Sequence, residues 1–162
     1  MADTDHDAPL VARILVVSDG VADGTREDRR GPALAEALER GGFTVDRTLV
    51  VGDGIEVVRN GLHELADGLV GLVVTTGGTG FGPRDLTPEG TKAAIQREAP
   101  GMAEAMRLVN PLGRLSRGTA GVVGRALVLN TPGSPTGAVE CLEAVLDVVP
   151  HALALIRGDR PH

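Results

Sequence analysis

The segment 75–90, with the sequence TTGGTGFGPRDLTPEG, combines the residue types that bind phosphate groups. Its glycines permit positive φ angles and a close approach of a ligand to the backbone. The hydroxyl groups of its threonines can donate hydrogen bonds to oxyanions. Arg84 supplies a cation for phosphate, and the adjacent Asp85 supplies a carboxylate for a metal ion. The segment is therefore predicted to be a phosphate-binding loop, with these candidate ligands: Thr75, Thr76, Gly77, Gly78, Thr79, Gly80 and Arg84.

Carboxylates that follow apolar runs are candidate metal ligands. Asp19 and Asp53 each stand just after such a run, and Asp85 lies in the segment 75–90. Magnesium favours one or two carboxylates together with the phosphates of a substrate. Asp53 and Asp85 are therefore predicted to bind Mg²⁺, although each could instead bond to its own backbone in a turn. No cluster of histidines and cysteines in the sequence indicates a softer metal.

Two further segments carry groups that bind anions. Arg114 and Arg117 in the sequence LGRLSRG could receive a phosphate together with Ser116, or they could be ordinary solvated cations. The sequence PGS stands before the last predicted helix, and the N–H groups at a helix N-terminus favour anions. We predict that both segments contact the ligand, through Ser116, Arg117, Pro132, Gly133 and Ser134.

Strands and helices alternate around these segments. β-branched runs predict strands at 13–18, 43–51 and 69–76, and two shorter runs predict a hairpin at Gly124. Such alternation implies a mostly parallel sheet covered on both faces, with ligands bound beyond the carboxyl ends of its strands. The predicted class is therefore α/β, with three α/β/α layers and one antiparallel hairpin in the C-terminal half. Apolar spacing and stop signals predict helices at 31–42, 55–68, 87–98, 102–109 and 138–149, with an extension over 151–156 beyond a bend at Pro150.

Length and composition predict one globular domain. The chain has 162 residues, of which 42% are hydrophobic and 23% charged, and no linker-like stretch divides it. We predict a single domain over 12–158, a disordered polar tail over 1–11 and a short tail over 159–162. The N-terminal residues lack the basic and apolar regions of a signal peptide, and no apolar run approaches the roughly 20 residues of a membrane span. A cytoplasmic location without membrane association is predicted.

Composition disfavours two kinds of site. The formal net charge is −6 and the chain has no Trp or Tyr, so the basic face and stacking surfaces of a nucleic-acid-binding protein are not expected. The single cysteine, Cys141, cannot form an internal disulfide and has no neighbouring zinc ligand. We therefore predict no nucleic-acid partner, and we predict that Cys141 is a buried core thiol.

The common nucleotide-binding motifs are absent from the sequence. A Walker A loop requires Gly-Lys-Ser/Thr, but the only lysine, Lys92, follows Thr91 within a predicted helix. A dinucleotide fingerprint that starts at Gly78 would need its third glycine where Pro83 stands. These differences argue against a P-loop enzyme and against a nicotinamide-dependent oxidoreductase.

Five segments together resemble the molybdopterin adenylyltransferase family, the Mog and MoaB proteins of molybdenum cofactor biosynthesis with the G domain of gephyrin. The similarity extends over residues 14–157, in order and without a large gap. Several motifs together are more specific than one glycine-rich loop. The segments are VSDGVADGTREDRRGPAL, TTGGTGFGPRDLTPEGT, EAPGMAEAM, LSRGTAGVVG and LNTPGSPTGAVECL.

This resemblance implies a three-layer α/β domain, commonly a homotrimer, that acts as a nucleotidyltransferase. The family transfers AMP from Mg-ATP to the terminal phosphate of molybdopterin and releases pyrophosphate, before the product passes to a molybdate-inserting protein. The essential carboxylates of the family match Asp53 and Asp85. Other relatives hold molybdopterin without strong catalysis, so a carrier protein is the alternative. The pterin and nucleotide site of the family maps onto Ser18, Asp19, Thr75 to Gly80, and Pro132 to Ser134.

Two positions depart from the family pattern. Thr131 stands where Leu or Met is common, and Gly90 stands where Ala is common. Gly90 is expected to weaken its helix by up to about 1 kcal/mol without affecting the chemistry.

Overall fold

The structure, a computed structural model, describes residues 8–160. Residues 1–7 of the predicted tail and the last two residues lie outside the described part. Leu10 packs against the core and Val11 begins the first strand, so the fold starts slightly before residue 12. Short 3-10 turns at Pro111–Leu115 and Leu146–Val148 accompany the regular elements. These are β1 (Val11–Val17), α1 (Asp19–Ala22), α2 (Arg30–Arg40), β2 (Thr44–Val51), α3 (Ile55–Ala66), β3 (Gly71–Thr76), α4 (Thr87–Ala94), β4 (Arg97–Glu98), α5 (Pro100–Leu108), β5 (Ala120–Val123), β6 (Ala126–Thr131), α6 (Pro135–Glu143) and α7 (Val149–Arg157).

The strands form one six-stranded sheet in the order β2-β1-β3-β6-β5-β4. β1 pairs in parallel with β2 and β3, and β3 pairs in parallel with β6. β5 runs antiparallel to both β6 and β4, and its turn to β6 passes through Gly124 with φ of 61°. The predicted α/β class, the mostly parallel sheet and the hairpin are confirmed.

Helices cover both faces of the sheet, which gives the predicted three layers. Along β1 the side chains alternate between the faces, so Ile14 packs with α2, α5, α6 and α7 while Leu15 packs with α3 and α4. Every residue of β3 and of β6 is buried, as expected for central strands that are covered on both sides. The carboxyl ends of β1, β3 and β6 therefore meet at one edge of a rigid sheet.

The helix predicted over 87–98 is shorter in the structure. α4 ends at Ala94, and Arg97–Glu98 forms the edge strand β4. Backbone N–H groups on both sides of β4 donate to β5, from Gln96 to Val122 O at 2.9 Å and from Ala99 to Ala120 O at 2.8 Å. The open edge of β5 thus supplies hydrogen-bond acceptors for the backbone of residues 96–99. Local helix propensity gives no information about such long-range partners, so the helix was predicted to be too long.

Two other segments differ from the predictions. Residues 19–22, where no helix or strand was predicted, form the short helix α1. The predicted long C-terminal helix is divided into α6, a 3-10 turn and α7, with Pro150 in the first turn of α7. Proline has no N–H group and its ring clashes with the preceding turn, so it begins a helix more readily than it continues one.

Cys141 is only partly buried, which differs from the predicted core position. Its thiol donates to the carbonyl oxygen of Met106 at 3.5 Å. Burial raises the pKa of the Cys141 thiol, and the nearby carboxylate of Glu140 adds to the rise. None of the helices described within residues 8–160 has the length and apolar character needed to cross a membrane.

Asn130 connects the central strands through a buried polar network. It is 3% exposed, and its Nδ2 donates to the hydroxyls of Thr75 and Thr91, each at 2.9 Å. Its Oδ1 accepts the backbone N–H of Thr119 at 3.1 Å. One side chain therefore ties together β3, α4 and the segment that enters β5.

Asn130→Ala is expected to lower the free energy of unfolding by about 2 kcal/mol, because it leaves the Thr119 N–H buried without an acceptor. Thr91→Val removes only one acceptor of the same network and should cost about 1 kcal/mol or less. Urea unfolding of both variants measures the difference. Equal losses of unfolding free energy in Asn130→Ala and Thr91→Val would show that the backbone N–H of Thr119 forms a hydrogen bond with another acceptor.

Candidate functional site

A cavity of about 590 Å³ opens beyond the carboxyl ends of β1, β3 and β6. Pockets for small molecules typically span about 300–1,000 Å³, so this one is large enough for a cofactor-sized ligand. Loops after four strands contribute to its wall, together with α5 and the start of α6. Of the residues predicted for the site, these line the cavity: Ser18, Asp53, Gly77, Gly78, Thr79, Gly80, Asp85, Ser116, Pro132, Gly133 and Ser134.

Two serines cap helices at the edge of this cavity. The Oγ of Ser18 accepts the N–H of Val21 at 3.3 Å and starts α1 directly after β1. The Oγ of Ser134 accepts the N–H of Gly137 at 3.1 Å and starts α6. Both strand-to-helix turns are thereby fixed. Pro135 has no N–H and the N–H of Gly137 is used by the cap, so the backbone N–H of Thr136 is the one that the start of α6 leaves for a ligand among the described residues.

Asp19 and Asp53 hold the loops after β1 and β2 together. The N–H of Asp19 donates to Asp53 Oδ2 at 3.1 Å, and the N–H of Asp53 donates to Asp19 Oδ1 at 3.0 Å. Arg84 adds a third loop, since its Nε donates to Asp19 Oδ2 at 2.5 Å and its Nη2 donates to Asp53 O at 3.1 Å. The hydrogen bonds from Arg84 and from the Asp53 amide lower the pKa of Asp19 to about 2. Asp19 therefore acts as an ionised bridge beside the cavity, and its side chain does not line it.

Asp53 has the electrostatic surroundings expected of a cation ligand. Burial raises its pKa, and the negative charges of Asp19 and Asp85 raise it further. Asp85 uses Oδ2 to accept the N–H of Gly82 at 2.9 Å, which leaves Oδ1 without a protein hydrogen bond in the described chain. Both carboxylates line the same cavity. A bound cation would relieve the repulsion between them.

These two carboxylates suit a metal ion that shares its ligands with a substrate. Within residues 8–160, no group of three or more His, Cys, Asp or Glu side chains could hold a metal ion alone. Magnesium typically binds through one or two carboxylates plus substrate phosphates. The donor set therefore fits magnesium in the form in which it accompanies a nucleotide.

The glycine turn after β3 requires glycine at two positions. Gly77 and Gly78 have φ angles of 101° and 68°, in the region that side chains disfavour. A Cβ on Gly77 would lie 2.3 Å from the carbonyl oxygen of Val17, and one on Gly78 would lie 2.3 Å from Thr87 Oγ1. The backbone there passes directly against β1 and α4. The N–H of Gly77 donates to Thr131 O at 3.1 Å, so the amides left for a ligand at the cavity are those that follow Gly77.

The hydroxyls of Thr75 and Thr76 form hydrogen bonds inside the protein, and neither residue is among those described that line the cavity. Thr75 accepts from Asn130, and the Oγ1 of Thr76 donates to Pro132 O at 2.7 Å. Thr79, 5% exposed, does line the cavity. Thr75 and Thr76 thus fix the loops after β3 and β6 relative to each other.

Arg117 holds both ends of the turn that carries Asp85. Its Nε donates to Gly80 O at 2.8 Å, and its Nη2 donates to Asp85 O at 2.5 Å. Its Nη1 forms an ion pair with Glu89, whose pKa it lowers. The guanidinium carbon also lies 6.0 Å from the ring centre of Phe81. Neither Arg117 nor Arg84 is among the described residues that line the cavity.

Arg30 is a buried cation in the cavity wall that was not predicted from the sequence. Its sequence context, DRRGP, lies in a polar stretch between β1 and α2 and resembles any solvated charge run. The side chain of the preceding residue, Arg29, is 79% exposed. The helix start predicted at Gly31 and Pro32 was the one sequence feature that could have placed Arg30 near the site, because the first turn of that helix faces the carboxyl end of the sheet.

The fold and the site together define a class of protein. It is a three-layer α/β protein with a cavity at the carboxyl edge of its parallel strands, lined by a glycine turn, two carboxylates and a buried arginine. Residues 13–151 match the family described as "Probable molybdopterin binding domain". The chain belongs to this family, and the resemblance stated from its motifs is confirmed.

Two curated relatives and one solved structure are similar to this chain over most of their length. The molybdopterin adenylyltransferase of Helicobacter pylori strain J99 is 37% identical over 155 residues, covering 90% of this chain and 87% of that protein. The molybdopterin adenylyltransferase of Escherichia coli K12 is 35% identical over 164 residues, covering 90% and 84%. The crystal structure of the molybdopterin biosynthesis enzyme MoaB from Thermus thermophilus superposes with a TM-score of 0.87 at 49% identity, covering 93% and 98%.

Proposed function

We propose that this chain is a molybdopterin adenylyltransferase of molybdenum cofactor biosynthesis. It transfers AMP from Mg-ATP to the terminal phosphate of molybdopterin and releases pyrophosphate. The observation that carries the proposal is the pair Asp53 and Asp85, which line one cavity beside the glycine turn. The curated relatives that bear this activity in their names align with nine tenths of the chain.

The reaction needs positioning and charge stabilisation more than a covalent nucleophile. An oxygen of the terminal phosphate of molybdopterin attacks the α-phosphorus of ATP and forms the new P–O bond. The bond from that phosphorus to the bridging oxygen breaks, and the electron pair leaves with pyrophosphate. No serine, cysteine or lysine of the protein has to form an intermediate.

Asp53 and Asp85 would hold magnesium, which when bound neutralises charge on the phosphates of ATP. The backbone amides that follow Gly77 in the glycine turn and the hydroxyl of Thr79 would bind phosphate oxygens. The N-terminus of α6, capped by Ser134, would bind a further anionic group, since a helix N-terminus carries partial positive charge. Ser18, Ser116, Pro132 and Gly133 complete the wall that excludes water.

The proposal is tested by incubating the protein with molybdopterin, ATP and magnesium under anaerobic conditions. Adenylylated molybdopterin and pyrophosphate are expected in equal amounts. An ATP analogue with a methylene group between the α- and β-phosphorus should give no product, because the bond that must break is absent. Tight binding of molybdopterin without pyrophosphate release would contradict the enzyme and support the carrier.

Arg117→Ala is expected to raise the KM for ATP by about 10-fold and to lower kcat by a similar factor. Without Arg117 the carbonyls of Gly80 and Asp85 lose their common donor, so the Asp85 turn loses its fixed geometry. Steady-state kinetics measures both constants. Amide hydrogen exchange over 80–85 should become faster in the same variant.

Arg114→Ala is the matched control, because Arg114 is exposed and does not line the cavity. Within residues 8–160, its side chain donates only to the carbonyl of Pro111. Arg117→Lys should not restore activity, since a lysine cannot reach three acceptors in one plane. If hydrogen exchange at residues 80–85 is unchanged in Arg117→Ala, Arg117 does not position the turn.

The proposal includes a homotrimer. Four large apolar side chains are exposed along the end of α5 and the following 3-10 turn, which is unusual for a surface that stays in water. They are Leu108 at 78%, Val109 at 44%, Leu112 at 72% and Leu115 at 56% exposure. Light scattering after size exclusion should give three times the 16.7 kDa of one chain, and a monomeric mass would contradict it.

The proposed place of action is the cytoplasm, where the adenylylated product would pass to a molybdate-inserting protein. Molybdate-dependent release of AMP in a mixture with such a protein, but not with this protein alone, would support the hand-over. Cell fractionation measures the location.

A further inference from the structure

Arg30 is a buried cation whose hydrogen-bonding capacity is largely unused. It is 9% exposed and lines the cavity. Its Nη1 donates to Val17 O at 3.3 Å, and within residues 8–160 its guanidinium makes no other hydrogen bond. No described carboxylate forms an ion pair with it, in contrast to Arg84 and Arg117. A guanidinium has five N–H donors, so most of those of Arg30 are available to a ligand.

The position of Arg30 is fixed by its backbone. The Oδ1 of Asp28 accepts the N–H of Arg30 at 3.0 Å and that of Gly31 at 3.2 Å, which anchors the first turn of α2. Its guanidinium lies where two loops converge, since a Cβ on Gly77 would lie 2.5 Å from Nη1 and one on Gly133 would lie 3.5 Å away. The glycines after β3 and β6 therefore leave the space that the cation occupies.

The charge of Arg30 is poorly compensated by the protein. Burial lowers its pKa and the nearby Arg26 lowers it further, while the charges of Asp28 and Asp53 oppose this change. A buried charge with few partners is unfavourable unless a ligand completes its hydrogen bonds. An anion in the cavity would do so, and the planar fork of a guanidinium matches the oxygens of a phosphate.

We propose that Arg30 binds the terminal phosphate of molybdopterin, the group that accepts AMP. This assignment rests on the proposed function. The acceptor phosphate must approach the α-phosphate of ATP beside Asp53 and Asp85, whose negative charges repel it. Magnesium on those carboxylates serves the phosphates of the nucleotide. The acceptor needs a cation of its own, and Arg30 is buried in the wall of the same cavity, close enough to Asp53 for their charges to interact.

The test compares Arg30→Met with Arg29→Met, which removes the same charge one residue away from an exposed side chain. The measurements are the Kd for molybdopterin, by fluorescence titration without nucleotide, and the KM for ATP. Arg30→Met is expected to raise the Kd for molybdopterin by about 10-fold or more and to change the KM for ATP by less than about 3-fold. Arg29→Met should change neither constant. Arg30→Lys keeps the charge and should recover part of the affinity.

The outcomes separate this assignment from the proposed function. If wild-type protein binds molybdopterin without transferring AMP and Arg30→Met still weakens binding, the enzyme proposal fails and the Arg30 assignment stands. If Arg30→Met raises the KM for ATP and leaves the Kd for molybdopterin unchanged, Arg30 serves the nucleotide and the assignment is overturned. No change in either constant also overturns it. Circular dichroism checks folding, and if Arg30→Met does not fold, unchanged Kd in Arg30→Ala and in Arg30→Lys overturns the assignment.

Discussion

Asp53→Asn is expected to lower kcat for AMP transfer by about 10³-fold or more. The carboxylate is partly buried and faces the negative charges of Asp19 and Asp85, so it is arranged to hold a cation. Asparagine keeps the shape and an oxygen acceptor for the N–H of Asp19 but removes the charge that binds magnesium. Asp85→Asn should have a similar effect, since its amide oxygen can still accept from Gly82. Pyrophosphate release at saturating ATP and molybdopterin measures both variants.

The same substitution should leave the fold intact. The pKa of Asp53 is raised in the folded protein, so at neutral pH its ionised form opposes folding, and a neutral side chain is expected to maintain or increase the free energy of unfolding. Asp67→Asn is the matched control, because Asp67 is exposed at the end of α3 and distant from the cavity. Wild-type kcat in either Asp53→Asn or Asp85→Asn would remove that residue from the metal site.

Periodicity and turn residues were sufficient to predict the architecture of this chain. The β-branched runs at β1 and β3 and the glycine at the β5–β6 turn fixed the class, because local pattern and tertiary environment agree there. Prediction was wrong at Arg97–Glu98, where the open edge of β5 supplies hydrogen bonds that no local pattern contains. It also joined α6 and α7, since helical apolar spacing continues across the 3-10 turn that separates them.

The residues of the candidate site likewise include some that the sequence predicted and others that it did not. Glycine, serine and aspartate at the ends of strands were predictable, because parallel strands bring their carboxyl ends to one edge. The positions and partners of the long arginine side chains were not predictable in this way. Arg84 and Arg117 were expected to meet phosphate, and in the structure they bind Asp19 and the carbonyls around Asp85. Arg30 lies in the cavity although its neighbour Arg29 points into solvent, a difference of one helical position.

Gly77→Ala is expected to lower the free energy of unfolding by about 4 kcal/mol and to abolish AMP transfer. A φ of 101° strains any residue with a Cβ, at about 1–3 kcal/mol, and forced overpacking adds about 1–3 kcal/mol. The added Cβ would lie 2.3 Å from Val17 O, a backbone atom at the carboxyl end of β1 that cannot rotate away. It would also displace the guanidinium of Arg30. Urea unfolding and the AMP-transfer assay measure the two effects.

Gly124→Ala separates backbone strain from the clash. Gly124 has a φ of 61° at the β5–β6 turn, and a Cβ there would meet no atom of the described part of the chain within 4 Å. Its substitution should cost about 1–2 kcal/mol and leave kcat unchanged. The additional loss of unfolding free energy in Gly77→Ala, relative to Gly124→Ala, then measures how tightly the ends of β1 and β3 are packed together at the cavity. Equal losses of unfolding free energy in the two variants would mean that this edge of the sheet rearranges to accommodate a methyl group. The site could then not depend on a rigid glycine turn.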